Sequence, residues 1–177
     1  MKTLETERLV LRSWQLSDLD DLYEYAKNPN VGPMAGWEPH SSKDISLNIL
    51  KSFIEDDEVW AIVFKENNKV IGSLGIHSDK KRRNESAKSM GFVLSEDYWG
   101  MELMPEAAKY VIKYAFEEES IDILSIYHYS VNARSKRVIE KCGFNFEGVL
   151  RKATKIYDGT VHDDFCYSIT RAEYFNS

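Results

Sequence analysis

Apolar positions along the chain fall into short blocks whose spacing alternates between strand and helix periods. Arg8-Leu9-Val10-Leu11-Arg12-Ser13-Trp14 reads as a first strand. Leu19, Leu22, Tyr23 and Ala26 then recur at i, i+3, i+4 and i+7, a helical stripe capped by Ser17, with Asp20 as capping-box partner and Pro29 as its stop. Val31 to His40, with Gly32, Pro33, Gly36 and Pro39, reads as a loop. A second helix starts at Ser41 or Ser42 and buries Leu47, Leu50, Phe53 and Ile54. Val59 to Phe64 predicts a buried strand, Asn67-Asn68 a tight turn, and Val70 to His77 its antiparallel return. The charged loop Asp79 to Asn84 leads to a fourth strand, Ala87 to Leu94; its Lys80 to Arg83 run invites a phosphate role but, lying before that strand, reads as a solvated hairpin tip. Leu103 to Phe116 predicts a third helix with Ala107, Val111 and Tyr114 on its apolar side, and Ile121 to Tyr129 a fifth strand. Asn132 caps a fourth helix that Gly143 terminates. Phe144 to Arg151 and Asp163 to Ile169 close the chain as a strand pair. The order βααβββαβαββ describes a mixed α/β domain with a largely antiparallel sheet of seven strands and four flanking helices.

Composition acts mainly by exclusion. A chain of 177 residues, 43% hydrophobic and 29% charged, is ordinary for one globular domain, and with no linker or repeat in it residues 1–177 are read as a single domain. The longest apolar run, Val59 to Phe64, is far below the ~20 residues of a membrane helix. Met1 to Arg8 lacks the apolar core of a secretory signal. A net charge of −6 argues against nucleic acid as the main partner. Cys142 and Cys166 have neither metal-ligand spacing nor a disulfide framework, and His77, His128 and His162 are scattered, so no metal site is expected. The expected setting is reducing and cytoplasmic, away from membranes.

The chemistry concentrates in two blocks. In the first, Met90 to Ala107, a strand feeds a glycine-bearing turn, Tyr98-Trp99-Gly100-Met101-Glu102, that opens onto a helix with Pro105 in its first turn. Free backbone N–H groups and the positive end of the helix dipole make such a place suited to an anion, although one glycine in a strand–helix turn is equally an ordinary turn. In the second, Asn132-Ala133-Arg134-Ser135, an amide and a hydroxyl stand one turn apart at a helix start. The same block also reads plainly as a capped amphipathic helix burying Val138, Ile139 and Cys142.

Taken with their order, these blocks resemble the GNAT family of N-acetyltransferases, in particular the branch that acetylates ribosomal-protein N-termini. The resemblance runs from Glu5-Thr6-Glu7-Arg8-Leu9-Val10-Leu11-Arg12 through Gly36-Trp37-Glu38-Pro39-His40, Tyr98-Trp99-Gly100 and Glu106-Ala107. It continues through Asn132, Ser135 and Glu140-Lys141-Cys142-Gly143-Phe144, then Glu147-Gly148-Val149-Leu150-Arg151, and ends at Asp163 to Ile169. It implies transfer of an acetyl group from acetyl-CoA to a primary amine, a protein N-terminus or a small molecule, by direct attack. Backbone groups of Phe92, Val93 and Leu94 would pair with the pantetheine as an added strand, and the N–H groups around Trp99, Gly100, Met101, Glu102, Leu103 and Met104 would receive the pyrophosphate. Asn132 would hold the pantetheine, with Ser135 near the sulfur as the candidate acid for the departing thiolate. Trp37 and Glu38 would line the acceptor side, although Trp37 reads equally well as core. The Asp163-Asp164 pair could attract a cationic acceptor or simply start a strand.

Three positions depart from the family's pattern. Asp97 and Glu102 stand at the first and last places of the phosphate turn, where a carboxylate repels a diphosphate. Ile139 stands where many relatives have a general-acid tyrosine. Thr154 stands near a position where the branch can place a glutamate, which leaves no base identified. These departures keep a second reading open, a non-catalytic acetyl-CoA-binding or interaction domain; a longer acyl group is a further variant. The sequence allows a monomer or a homodimer.

Overall fold

A computed structural model describes residues 1–176. They divide into two compact units, one made of Met1–Gly75 with Phe92–Ala107, the other of Ile76–Gly91 with the chain from Ala108 onward. The strands are β1 (Leu4–Glu5), β2 (Leu9–Arg12), β3 (Val59–Phe64), β4 (Lys69–Ser78), β5 (Ala87–Leu94), β6 (Ile123–Tyr129), β7 (Asn145–Lys155) and β8 (Val161–Thr170). The helices are α1 (Leu19–Ala26), α2 (Lys43–Asp56), α3 (Leu103–Glu117), α4 (Ala133–Lys141) and α5 (Arg171–Asn176). The sheet order is β1-β2-β3-β4-β5-β6-β8-β7, so the described residues hold eight strands and five helices where seven and four were expected. The additions are the two-residue β1, pairing Leu4 with Leu11, and the terminal α5. Both are too short to show a period.

In the first unit, β2, β3 and β4 pair antiparallel, and every residue of β3 is buried. The expected turn is present, with Asn68 at φ 57°. A core of Trp14, Leu22, Tyr25, Ala26, Val31, Leu50, Ala61, Val63 and Val70 fills the space beneath, with Trp37, Val93 and Trp99 packed half-buried against it. The helix entries are corrected in detail. Ser17 lies inside a 3-10 turn, Leu16–Asp18, and the group that organises the start of α1 is Asp18. Its carboxylate accepts from the Gln15 N–H at 2.8 Å and holds Arg12 through two bonds of 2.8 Å, interactions that a hydroxyl cannot match. Part of the expected loop, Gly32–Ala35, is another 3-10 turn. Ser42 caps α2 as one of the two candidates, but that helix buries Ser46 and Leu50, and Ile54 is exposed. Gly72 in β4 has no room for a side chain: a Cβ there would stand 2.3 Å from the carbonyl oxygen of Val93.

In the second unit, β5 and β6 pair parallel from Ala87↔Ile123 to Met90↔Ile126, and each strand continues past its last pair, to Leu94 and to Tyr129. β6 pairs antiparallel with β8 from Ile123↔Thr170 to Tyr129↔Asp164, and β7 forms the edge. The β7–β8 register breaks between Leu150 and Thr154, where Lys152 has φ 50° and donates its N–H to Asp163. Phe116, Leu124, Ile126, Ile139, Phe144, Tyr167 and Ile169 are buried here. α5 begins with a reciprocal cap, in which Glu173 accepts from the Thr170 N–H while Thr170 Oγ1 accepts from the Glu173 N–H.

Candidate active site

The sequence block from β5 into α3 lies in the first unit, in a turn tied down at every step. Phe92, Val93 and Leu94 are half-buried at the end of β5. The Ser95 N–H donates to the Ile71 carbonyl at 2.7 Å, and the Glu96 carboxylate accepts from the side-chain amides of Asn28 and Asn30 at 2.8 and 2.9 Å. The indole N–H of Trp99 returns to the Leu94 carbonyl at 2.9 Å. Gly100 and Glu102 then both take left-handed conformations, φ 78° and 61°, before α3 begins at Leu103. A Cβ at Gly100 would meet no atom within 4 Å, so the glycine answers to its φ and not to crowding. Glu102 and Asp97 are exposed, whereas Leu103 and Met104 are buried.

Arg8 and Glu106 lock the same turn from outside. The Glu106 carboxylate accepts from Thr6 Oγ1 at 2.6 Å, from the Arg8 N–H at 2.9 Å and from Arg8 Nε at 2.7 Å, while Arg8 donates to the Met101 carbonyl at 2.9 Å. Burial alone would raise the pKa of Glu106, but Thr6 and both donors of Arg8 outweigh it and hold it below the ordinary glutamate value. At an α3 N-terminus, Leu103 and Met104 have no carbonyl one turn earlier to bond, and Pro105 has no N–H. A fixed, glycine-bearing turn leading into free helix N–H groups can receive a phosphate group. The residues present fit the diphosphate of a CoA ester, apart from the exposed carboxylate of Glu102.

Asn132 and Ser135 lie in the second unit. The Asn132 N–H donates to the Tyr129 carbonyl at 2.8 Å, so α4 starts directly off the end of β6, and the Asn132 side chain accepts from the Ser135 N–H at 3.1 Å. Both are half-buried, and Ile139 is fully buried with no acid to offer. Trp37, in the first unit, sits tightly over Gly32, where a Cβ would approach its ring to 2.7 Å, and packs 5.1 Å from the His40 ring; Glu38 is exposed.

The Lys80 to Arg83 run is solvated at Lys80 and Arg83, as expected of a hairpin tip, but its two middle residues are engaged. Asp79 is buried, and its carboxylate accepts from the Tyr127 hydroxyl at 2.7 Å and pairs with Arg82 at 3.1 Å. Arg82 donates also to Ser125 at 2.9 Å and pairs with Glu147, which accepts from Ser168 at 2.7 Å. Lys81 lies 4.7 Å over the Tyr127 ring and pairs with Asp164, whose same oxygen accepts from Thr154 Oγ1 at 2.8 Å. Lys81 and Arg82 therefore turn to polar groups on β6, β7 and β8. Burial, helped by the bond to Asp79, pushes the Tyr127 hydroxyl up; burial, and then the charge of Asp164, does the same to Tyr129. A signal for this cluster was present in the sequence: Ser125 and Tyr127 on β6, and Asp164 and Ser168 on β8, are polar at alternate positions of strands otherwise buried, and such groups need partners.

Among the described residues no helix is long and apolar enough to cross a membrane, and no group of three or more His, Cys, Asp or Glu side chains could hold a metal ion. Comparison with known proteins gives a consistent picture. The family model described as an acetyltransferase (GNAT) domain matches residues 8–145. An uncharacterized N-acetyltransferase p20 of Bacillus licheniformis is 27% identical over 180 residues, spanning 98% of this chain and 99% of that protein. The structure of the ribosomal-protein-S5-alanine acetyltransferase of Vibrio fischeri superposes with a TM-score of 0.78 at 22% identity, covering 98% of this chain and 99% of that one. The microcin C7 self-immunity acetyltransferase MccE, solved in complex with acetyl-CoA and AMP, superposes with a TM-score of 0.79 at 20% identity over 93% of each chain.

Proposed function

Because this chain belongs to the GNAT acetyltransferase family, whose fold uses acetyl-CoA, we propose that it is a cytoplasmic N-acetyltransferase that moves the acetyl group of acetyl-CoA onto a primary amine. Residues 1–177 act as one such domain. The observation that carries this reading is the preorganised turn between β5 and α3, with Gly100 and Glu102 left-handed and Arg8 fixed on the Met101 carbonyl. The N–H groups from Gly100 to Met104, Pro105 having none and the Trp99 N–H being already donated to the Glu96 carbonyl at 3.1 Å, receive the diphosphate, and backbone groups of Phe92, Val93 and Leu94 pair with the pantetheine. Asn132 holds the pantetheine by its amide. The acceptor amine, as the free base, attacks the thioester carbonyl; the C–N bond forms, the C–S bond breaks, the thiolate takes a proton from Ser135, and the proton that the nitrogen loses passes through water and restores the Ser135 hydroxyl. A backbone N–H of β5 stabilises the oxyanion. Trp37 and Glu38 line the acceptor side. The names of the similar proteins support the acyl donor and the reaction type; one names a ribosomal-protein alanine and another a self-immunity function.

The test is thiol release from acetyl-CoA over a panel of primary amines and an alanine-initiated peptide, with acetyl-CoA binding followed in parallel by calorimetry. Stoichiometric binding and amine-dependent thiol release are expected. Binding without turnover on any amine would leave a non-catalytic acetyl-CoA-binding domain. Absence of binding at millimolar acetyl-CoA would end both readings.

A further inference from the structure

The charged cluster of the second unit is not electrically balanced. Asp79, Glu147 and Asp164 face Lys81 and Arg82, so three carboxylates meet two cations and one negative charge is left over. By pairing, the shared cation is Arg82, which faces both Asp79 and Glu147, whereas Lys81 faces Asp164; what sets Asp164 apart is an unfilled acceptor. The Asp164 side chain keeps only 3% of its surface, Lys81 and Thr154 both bind its Oδ2, and its buried Oδ1 has no hydrogen-bond partner. A buried carboxylate oxygen left without a donor is expensive, and an ammonium group is a donor that fills it and also balances the cluster as a whole.

Its surroundings suit such a group. Asp164 stands across the ladder from Tyr129, the last residue of β6, whose carbonyl receives the Asn132 N–H at the start of α4. The carboxylate is thus at the end of β6 from which Asn132 and Ser135 project. Tyr129 and His162 stack at 4.6 Å, both half-buried, offering aromatic surface to an alkylammonium chain. Lys81, the cation on the other oxygen, keeps 30% of its side chain in solvent. The neighbouring Asp163 is otherwise engaged, accepting from the Lys152 N–H at 2.7 Å at the register break. Thr154 hands its hydroxyl to the same oxygen as Lys81, Oδ2.

We propose that Asp164 is a specificity residue for the acceptor, binding a second, non-reacting ammonium group, so that the preferred substrates are amines carrying an additional positive charge a few methylenes from the nitrogen that is acetylated. This rests on the acetyltransferase reading and deepens it. The bound ammonium is not the reacting nitrogen, because a carboxylate beside an amine favours its protonated form and withholds the lone pair that attacks the thioester.

The experiment compares 1,4-diaminobutane with butylamine as acceptors for the full chain, in the wild type, in Asp164→Asn and in Lys81→Met. The wild type should favour the diamine in kcat/KM by at least about tenfold, the size of one charge-assisted contact. Asp164→Asn should erase that preference through KM for the diamine and leave butylamine unchanged. Lys81→Met, which removes the competing cation, should lower KM for the diamine. A wild type without preference overturns the proposal whatever the variants do, and so does an Asp164→Asn variant that loses activity on both amines alike, the mark of a structural role. Equal turnover of both amines sinks only this inference, whereas failure to bind acetyl-CoA sinks the acetyltransferase reading. If no amine turns over, calorimetric titration of 1,4-diaminobutane decides: heat with the wild type and none with Asp164→Asn supports the site, and no heat with either refutes it.

Discussion

Glu102 combines a left-handed backbone, φ 61°, with an exposed carboxylate in the turn assigned to the diphosphate. The conformation costs a side-chain-bearing residue roughly 1 kcal/mol. The charge, at a few ångströms from a phosphate in water, opposes binding by about 1 kcal/mol and is screened by salt. Glu102→Gly should therefore tighten acetyl-CoA binding about three- to fivefold at low ionic strength and less at high, as read by calorimetry at two salt concentrations. Unchanged affinity at low salt would mean that the carboxylate points away from the bound diphosphate. Asn132 and Ser135 should separate along a different line. Removing the Asn132 cap should cost about 1 kcal/mol of stability and weaken acetyl-CoA binding. Ser135→Ala should leave the melting temperature nearly intact and lower kcat and kcat/KM alike, by about a hundredfold if its hydroxyl protonates the thiolate. Wild-type turnover in that variant would return Ser135 to being a polar residue on a capped helix.

Between elements, the Arg8–Glu106 contact joins the chain ahead of β2 to the first turn of α3 and fixes the Met101 carbonyl on the way. Because the folded pKa of Glu106 lies below its ordinary value, its contribution is present at neutral pH and is lost as the pH falls below the unfolded value and through the folded one. The melting temperature of Glu106→Gln should lie below that of the wild type near neutrality, and the gap should narrow as the pH falls below the ordinary glutamate value; a gap that does not narrow on acidification would contradict the linkage. Elements of this kind were legible where a period or a cap was long enough to register. β3 and β5 run over the expected residues, and Asn132 and Ser42 cap the helices as expected. The cap of α5, Thr170 with Glu173, was also written in the sequence, but it precedes only six residues. What could not be read was direction. Nothing in Asp79-Lys80-Lys81-Arg82 says that Lys81 and Arg82 turn toward Asp164 and Glu147, because those partners lie more than sixty positions away.

For the whole molecule, acetyl-CoA at about 100 times its dissociation constant should raise the unfolding free energy by ~2.7 kcal/mol, visible as a concentration-dependent rise in melting temperature. β4 and β5 contribute residues to both compact units, so their integrity matters to each. Gly72 carries this furthest. Its α-carbon faces the Val93 carbonyl so closely that a single methyl group would stand 2.3 Å from it, and Val93 is one of the three residues assigned to the pantetheine. In a library of variants sorted for retention of acetyl-CoA, position 72 should therefore tolerate no substitution and would score as a ligand residue, although what it contributes is the space that lets another residue's backbone lie where it does.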